Sequence, residues 1–286
     1  MTVITALTPE PGPVRNREPA VEPPARFGDL LGSEWIKMRS LRSTTVALVF
    51  VTLFVLGSTA AASVAEIQRL GRLAPGAPGD HGFQVFDAYP AAGYLTLMLL
   101  AGSLGAFTAV NEYGSGLIRT TMVAVPARGS VVLAKAVVVA AVWTVVGTAV
   151  SIGSFLLSQA ILDQRHAGVS FGQPGVLRAM TASALLAPVC ALIGLGLGVL
   201  IRHSAATMVT TAFTLLMLQP MFSDSHRWSA DVNHAMVVTA WERLLEYWGP
   251  HQLGYTATVT GSWIVLVLWP LVAVVLALVV VRRRDV

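Results

Sequence analysis

The sequence predicts an all-α membrane protein: six transmembrane helices, an N-terminal amphipathic interfacial helix, and a short re-entrant or interfacial helix before the last span. Three observations predict it. First, six apolar runs, Thr44–Ala65, Ala91–Val110, Val131–Leu157, Ala179–Ile201, Ala205–Phe222 and Gly261–Val281, contain a single charged side chain, Lys135. About 20 apolar residues at 1.5 Å rise cover the ~30 Å hydrocarbon core of a bilayer. Second, 55% of the 286 residues are hydrophobic, 12% are charged and mean hydropathy is +0.68, values foreign to a soluble globule. Third, the loops alternate in charge. With the N-terminus placed on one side, that side collects 13 of the 19 Lys and Arg, among them Lys37, Arg39, Arg42, Arg119, Arg128 and Arg282–Arg284. The positive-inside rule then predicts a multi-pass membrane protein with both termini cytoplasmic. The basic balance follows from topology, and no nucleic-acid-binding pattern accompanies it.

Residues 1–26 alternate Pro9, Pro11, Pro13, Pro19, Pro23 and Pro24 with Glu10, Arg15, Arg17, Glu18 and Glu22. With no apolar h-region they predict a disordered N-terminal tail, and residues 27–286 form the six-span transmembrane domain. Over Phe27–Arg42, Phe27, Leu30, Leu31, Trp35, Met38 and Leu41 share one helical face, with Glu34 misplaced inside that stripe. A basic amphipathic helix of this kind lies along the membrane surface. It reads either as a plain anchor or as a surface that grips a cytoplasmic partner, with Glu34 kept charged for that contact.

After the second run comes a cytoplasmic elbow, residues 111–130. Gly114 and Gly116 permit a sharp exit, Leu117–Val125 predicts a short helix, and Pro126 ends it. Its apolar residues can enter a partner's groove while Glu112, Arg119 and Arg128 fix orientation; a merely structured loop is the alternative. Glu112 and Arg119 are expected in solvent, where replacement by Ala changes stability by no more than about 0.5 kcal/mol. Lys135, near the end of the third run, is expected to snorkel to the interface.

The fourth run carries Cys190, the only cysteine and thus no disulfide partner, and the close-packing pair Gly194 and Gly198; Gly102 and Ala106 repeat that spacing in the second run. The GxxxG pair serves packing inside the subunit or a dimer seam. In the outer loop, residues 223–260, one face of Val232–Trp248 gathers Val237, Trp241, Leu244 and Trp248 before Gly249 and Pro250 stop the helix. This face reads as an outer-leaflet aromatic anchor or as a lid. Five of six histidines fall on the outer side, without metal-ligand spacing.

Glu112, Gly116, Leu117, Ile118, Arg119, Pro126, Arg128 and Lys135 are laid out as in the ABC-2 type permeases, membrane subunits of ATP-binding-cassette exporters, which the chain resembles from about residue 27 to its end. Ser115 and the lack of a Thr after Gly116 depart slightly from the pattern. Ser33 to Ser40 is similar to the connecting helix of such permeases, here 27–42, and Arg282 to Asp285 to a common permease C-terminus. The resemblance implies a non-catalytic half-transporter. It would pair with a second permease copy or paralogue and dock a cytoplasmic ABC ATPase through Glu34, Lys37, Glu112, Tyr113, Gly116, Arg119, Pro126 and Arg128. ATP-Mg would bind that ATPase, with no cofactor or metal on this chain. Consistent with this, the chain has no G-x-x-x-x-G-K-[ST] phosphate loop. An ATP-independent transporter, using helices broken at Pro188 and Pro270, and a structural or signalling membrane protein stay open. An intramembrane enzyme lacks His and Asp within the runs.

Overall fold

A computed structural model describes residues 26–40, 42–72, 85–114, 128–163, 170–222, 225–246 and 255–283. Among these the chain is helical and has no strand. Helix α1 is Phe27–Ser40, and α2, Arg42–Arg72, follows after one residue. Then come α3 Ala91–Gly114, α4 Arg128–Leu162, α5 Val176–Ile201 and α6 Ser204–Ala212. Two short helices, α7 Arg227–His234 and α8 Val237–Leu245, precede α9, Val259–Arg283.

Helices α2, α3, α4, α5 and α9 are long and apolar enough to cross a membrane, and the chain is a membrane-embedded protein. The shortest, α3, has 24 residues, about 36 Å at 1.5 Å per residue. The fifth apolar run behaves differently. It forms α6, a π-helical turn over Phe213–Met217 and a 3-10 turn over Gln219–Met221. The apolar helix Ser204–Met217 covers only about 21 Å, short of the hydrocarbon thickness. Pro188 and Pro270 lie within α5 and α9, which run through them without a break. The breaks that an ATP-independent transporter could use at these two prolines are absent from both helices. Each proline removes one backbone donor, but neighbouring helices hold the chain in helical geometry.

Helix α5 is the centre of the bundle, because small residues let three helices approach its backbone. A Cβ added at Gly194 would stand 1.9 Å from the carbonyl oxygen of Gly102 in α3. One added at Gly105 would stand 2.0 Å from that of Ala191. Gly198 packs on Ala106, Gly196 on Ala273 of α9, and Gly147 of α4 on Ala184. The two small-residue pairs foreseen in the second and fourth runs thus pack on one another inside the subunit. Dispersion between close backbones is the glue where lipid removes any hydrophobic drive. By contrast, α2 and α9 sit at the periphery, with Val46, Leu53, Val267 and Leu271 exposed, as suits side chains facing hydrocarbon.

The contacts define two ends of the bundle. At one, α1 meets the end of α3 and the start of α4, Arg202 after α5 lies over Tyr113, and Arg282 of α9 lies beside Gly129. At the other, α8 meets the starts of α3 and α5 and the residues just before α9, through Trp241 on Tyr94, Arg178 on Leu244 and Arg243 on Ala257. Thr211 and Leu215 pack on Gly102, midway along α3. The segment from Ser204 to Met221 therefore carries the chain from the first end to the second.

Candidate functional site: a buried ionic quartet

Glu34 does not clash with the apolar stripe of α1; it is the residue around which that helix is docked. Leu30, Leu31, Glu34, Lys37 and Met38 recur at helical spacing and turn inward, whereas Trp35, expected in the stripe, is 51% exposed. Glu34 itself is only 5% exposed. A carboxylate so placed must be paired, because stripping an isolated charge of water costs several kcal/mol.

The quartet it belongs to is drawn from three helices. The Lys37 ammonium, one turn along α1, donates to Glu34 Oε1 at 2.7 Å and to Glu112 Oε1 at 2.8 Å. Lys135 Nζ of α4 donates to Glu34 Oε2 at 2.5 Å and to Glu112 Oε1 at 2.9 Å. Each ammonium bridges both carboxylates, so the four groups close a ring with no net charge. Lys135 and Glu112 are 7% and 8% exposed; Lys37 faces outward more. Burial alone would lower the Lys37 ammonium's pKa, but the hydrogen bonds and charges of Glu112 and Glu34 outweigh it and hold the group above the usual lysine value.

Two expectations are corrected here. Glu112 is not in a solvated elbow: α3 continues four residues beyond Val110, and Glu112 lies buried on its last turn. Replacing it by Ala therefore cannot be a neutral surface change. Nor does Lys135 snorkel to water. Helix α4 has 35 residues, about 52 Å, more than the ~30 Å hydrocarbon core, and its first turns reach α1, where the Lys135 ammonium is buried against Glu34 and Glu112. The signal for this pairing was present in the sequence: the one acid inside an apolar stripe and the one charge inside an apolar run have opposite signs.

Of the other residues singled out at this end, Tyr113 takes the Arg202 guanidinium over its ring at 4.9 Å, a cation–π contact. Arg202 adopts a left-handed backbone, φ 59°, and its N–H caps α5 through the Gly198 carbonyl. Gly116, Arg119 and Pro126, with the predicted helix 117–125, lie outside the described residues, and Arg128 opens α4.

At the opposite end the predicted helix Val232–Trp248 is two helices, α7 and α8, meeting at Ala235 and Met236. Its apolar face meets protein, not lipid. Trp241 and Leu244 are fully buried; Trp241 stacks on Tyr94 at 5.3 Å and donates to Ser183 Oγ at 3.1 Å. Arg178 of α5 donates to the carbonyls of Leu244 and Glu246, supplying partners that the end of α8 lacks. Trp248 lies outside the described residues. A network of hydroxyls, Thr59, Tyr94 and Ser154, completes this packing. Nothing in the sequence spacing announced it. Glu242 of α8 is raised above the usual carboxylate range, first by burial and then by Glu246. His203 caps α6 and His234 contacts the Tyr255 carbonyl; no metal-holding group of three occurs among the described residues.

Compared with models of protein families and with curated proteins, the chain matches none by sequence.

Proposed function

We propose that the chain is the transmembrane permease subunit of an ABC exporter of the ABC-2 type, forming the translocation path and driven by a separate cytoplasmic ATPase. The observation that carries this reading is the quartet. The resemblance puts Glu34, Lys37 and Glu112 where such permeases engage their ATPase, and these three, with Lys135, meet at one end of the bundle. A displacement of α1 or of the segment after α3 would be felt at once by α3 and α4 through the ring. The quartet end is then the cytoplasmic one, in the plasma membrane of a bacterium, and Ser204–Met221 acts as the sixth crossing. That count keeps both termini on one side, in accord with Arg282 lying beside Gly129. A second permease copy or paralogue completes the path.

The alternative is an ATP-independent transporter or a structural or signalling membrane protein. The unbroken α5 and α9 favour the exporter reading over a carrier built on split helices. Co-purification decides. The chain should capture an ABC ATPase from its native membrane, whereas the chain alone should hydrolyse no ATP above background. Arg119→Ala should keep normal membrane levels and lose stimulated hydrolysis. Turnover by the isolated chain, or full coupling in Arg119→Ala, would sink the assignment.

A further inference from the structure

The quartet is also one wall of a pit. A cavity of about 200 Å³ lies between α1, the start of α2, the end of α3 and the start of α4. Ser40, Phe107 and Asn111 are the exposed lining residues and mark its mouth; Val138 and Val139 are buried in its floor. Opposite the four charges the surface is hydrocarbon: Leu104, Phe107, Val138 and Val139. The site is therefore amphipathic, and it stands at the end of α3 and the start of α4.

The charged wall defines the head it can accept. An ammonium has three N–H donors, and Lys37 and Lys135 each direct hydrogen bonds to two carboxylates. One donor on each lysine is left over. The ring is neutral, so an ion entering the pit would shed its water and meet as many like charges as opposite ones. An uncharged acceptor sheds far less and still takes the leftover donors. The cavity equals roughly six or seven waters at bulk volume. It can hold a head and its first few carbons, with the rest of a chain leaving past Phe107, 37% exposed on the outer side of α3.

We propose that this pit binds an uncharged amphiphile that presents a carbonyl (ester, amide or ketone) to Lys37 and Lys135 and lays its first carbons on Leu104, Phe107, Val138 and Val139. The site needs no ATPase and does not rest on the exporter reading. Its carbonyl can come from the ester linkage of a bilayer lipid or from a free amphiphilic ester.

The test uses the full chain carrying Cys190→Ala and Thr108→Cys, since Thr108 lines the pit and Cys190 is buried elsewhere. It is placed in nanodiscs of ether-linked phosphatidylcholine, which lacks ester carbonyls, and maleimide labelling is timed. Methyl decanoate should slow labelling at least tenfold; decane, decanoate and decylammonium should slow it less than twofold. If ester-linked phosphatidylcholine gives the same protection unaided, the carbonyl is a bilayer lipid's. If protection there still awaits methyl decanoate, it is a free amphiphile's. No slowing by methyl decanoate in ether-linked discs overturns the proposal, as does equal slowing by decane or decanoate. Native mass spectrometry gives a second reading that needs no new cysteine. The unmodified chain should retain methyl decanoate but not decane, and Val139→Phe, which fills the floor, should lose it. Equal retention by Val139→Phe overturns the site as well.

Discussion

Replacing Lys135 by Met keeps the length of the side chain and removes one of the two cations that neutralise Glu34 and Glu112. Before the change each carboxylate has two ammonium contacts, between 2.5 and 2.9 Å. Afterwards, within the quartet, two carboxylates face one ammonium, Lys37. The side chains of Glu34, Glu112 and Lys135 are 6%, 11% and 8% exposed, so water reaches them only from the pit and replaces the missing partner only in part. Deleting one member of such a buried pair costs about 3–5 kcal/mol, because an uncompensated charge stays behind. For a chain of this size that corresponds to a fall in Tm of about 10 °C. The assay is reversible denaturation in mixed micelles, with Glu34→Gln and the double variant measured beside it. Taking away one charge of each sign restores neutrality and leaves the Lys37–Glu112 pair. The double variant should therefore be more stable than the sum of the single losses predicts, by about 0.5–3 kcal/mol. A loss in Lys135→Met below about 0.5 kcal/mol, the size of an exposed substitution, would refute the reading, and so would strict additivity.

Three further outcomes are expected. Gly194→Ala should cost more than about 1–3 kcal/mol, the usual range for overpacking, because its Cβ would meet the Gly102 backbone at 1.9 Å; Gly57→Ala, with nothing within 4 Å, should be neutral or slightly stabilising in the same denaturation assay. Trp241→Ala should cost about 3–5 kcal/mol and should free the Arg178 end of α8 to exchange amide hydrogens faster, read by hydrogen–deuterium exchange. Glu242 has a folded pKa raised above its unfolded value, so the folded state binds the proton more tightly and its contribution is fully present below the ordinary carboxylate pKa. Stability should then fall as pH rises through the raised value, and Glu242→Gln should flatten that part of the pH profile; an unchanged profile would show that Glu242 is solvated.

The apolar runs were legible because hydrocarbon imposes one requirement on length and another on charge, and both can be counted along a chain. Small-residue spacing was legible for a similar reason. Gly102, Ala106, Gly194 and Gly198 mark faces where backbones can touch, and those faces touch each other. The fifth run shows the limit of counting. Ala205–Phe222 is apolar enough for a span, yet the structure winds it as α6 followed by π and 3-10 turns. Composition cannot distinguish these from a straight helix, because the choice depends on how Thr211 and Leu215 must seat against Gly102.

Burial of polar groups was the least legible property, since it is decided by neighbours remote in sequence. Glu112 looked solvated because Gly114 and Gly116 follow it, and Gly114 is the last described residue of α3. What surrounds the carboxylate is the pair of ammonium groups it meets, Lys37 of α1, 75 residues away, and Lys135 of α4, 23 residues away. The same remoteness misled the reading of Trp241. An aromatic stripe at helical spacing is equally suited to lipid and to protein, and only the presence of Tyr94 and Ser183 opposite it selects protein. Yet the two worst misfits in the sequence were informative when taken together. An acid in an apolar stripe and a base in an apolar run each carry a desolvation penalty that evolution would otherwise remove, and opposite misfits in one membrane protein cancel best against each other. Glu34 and Lys135, 101 residues apart, do so at 2.5 Å.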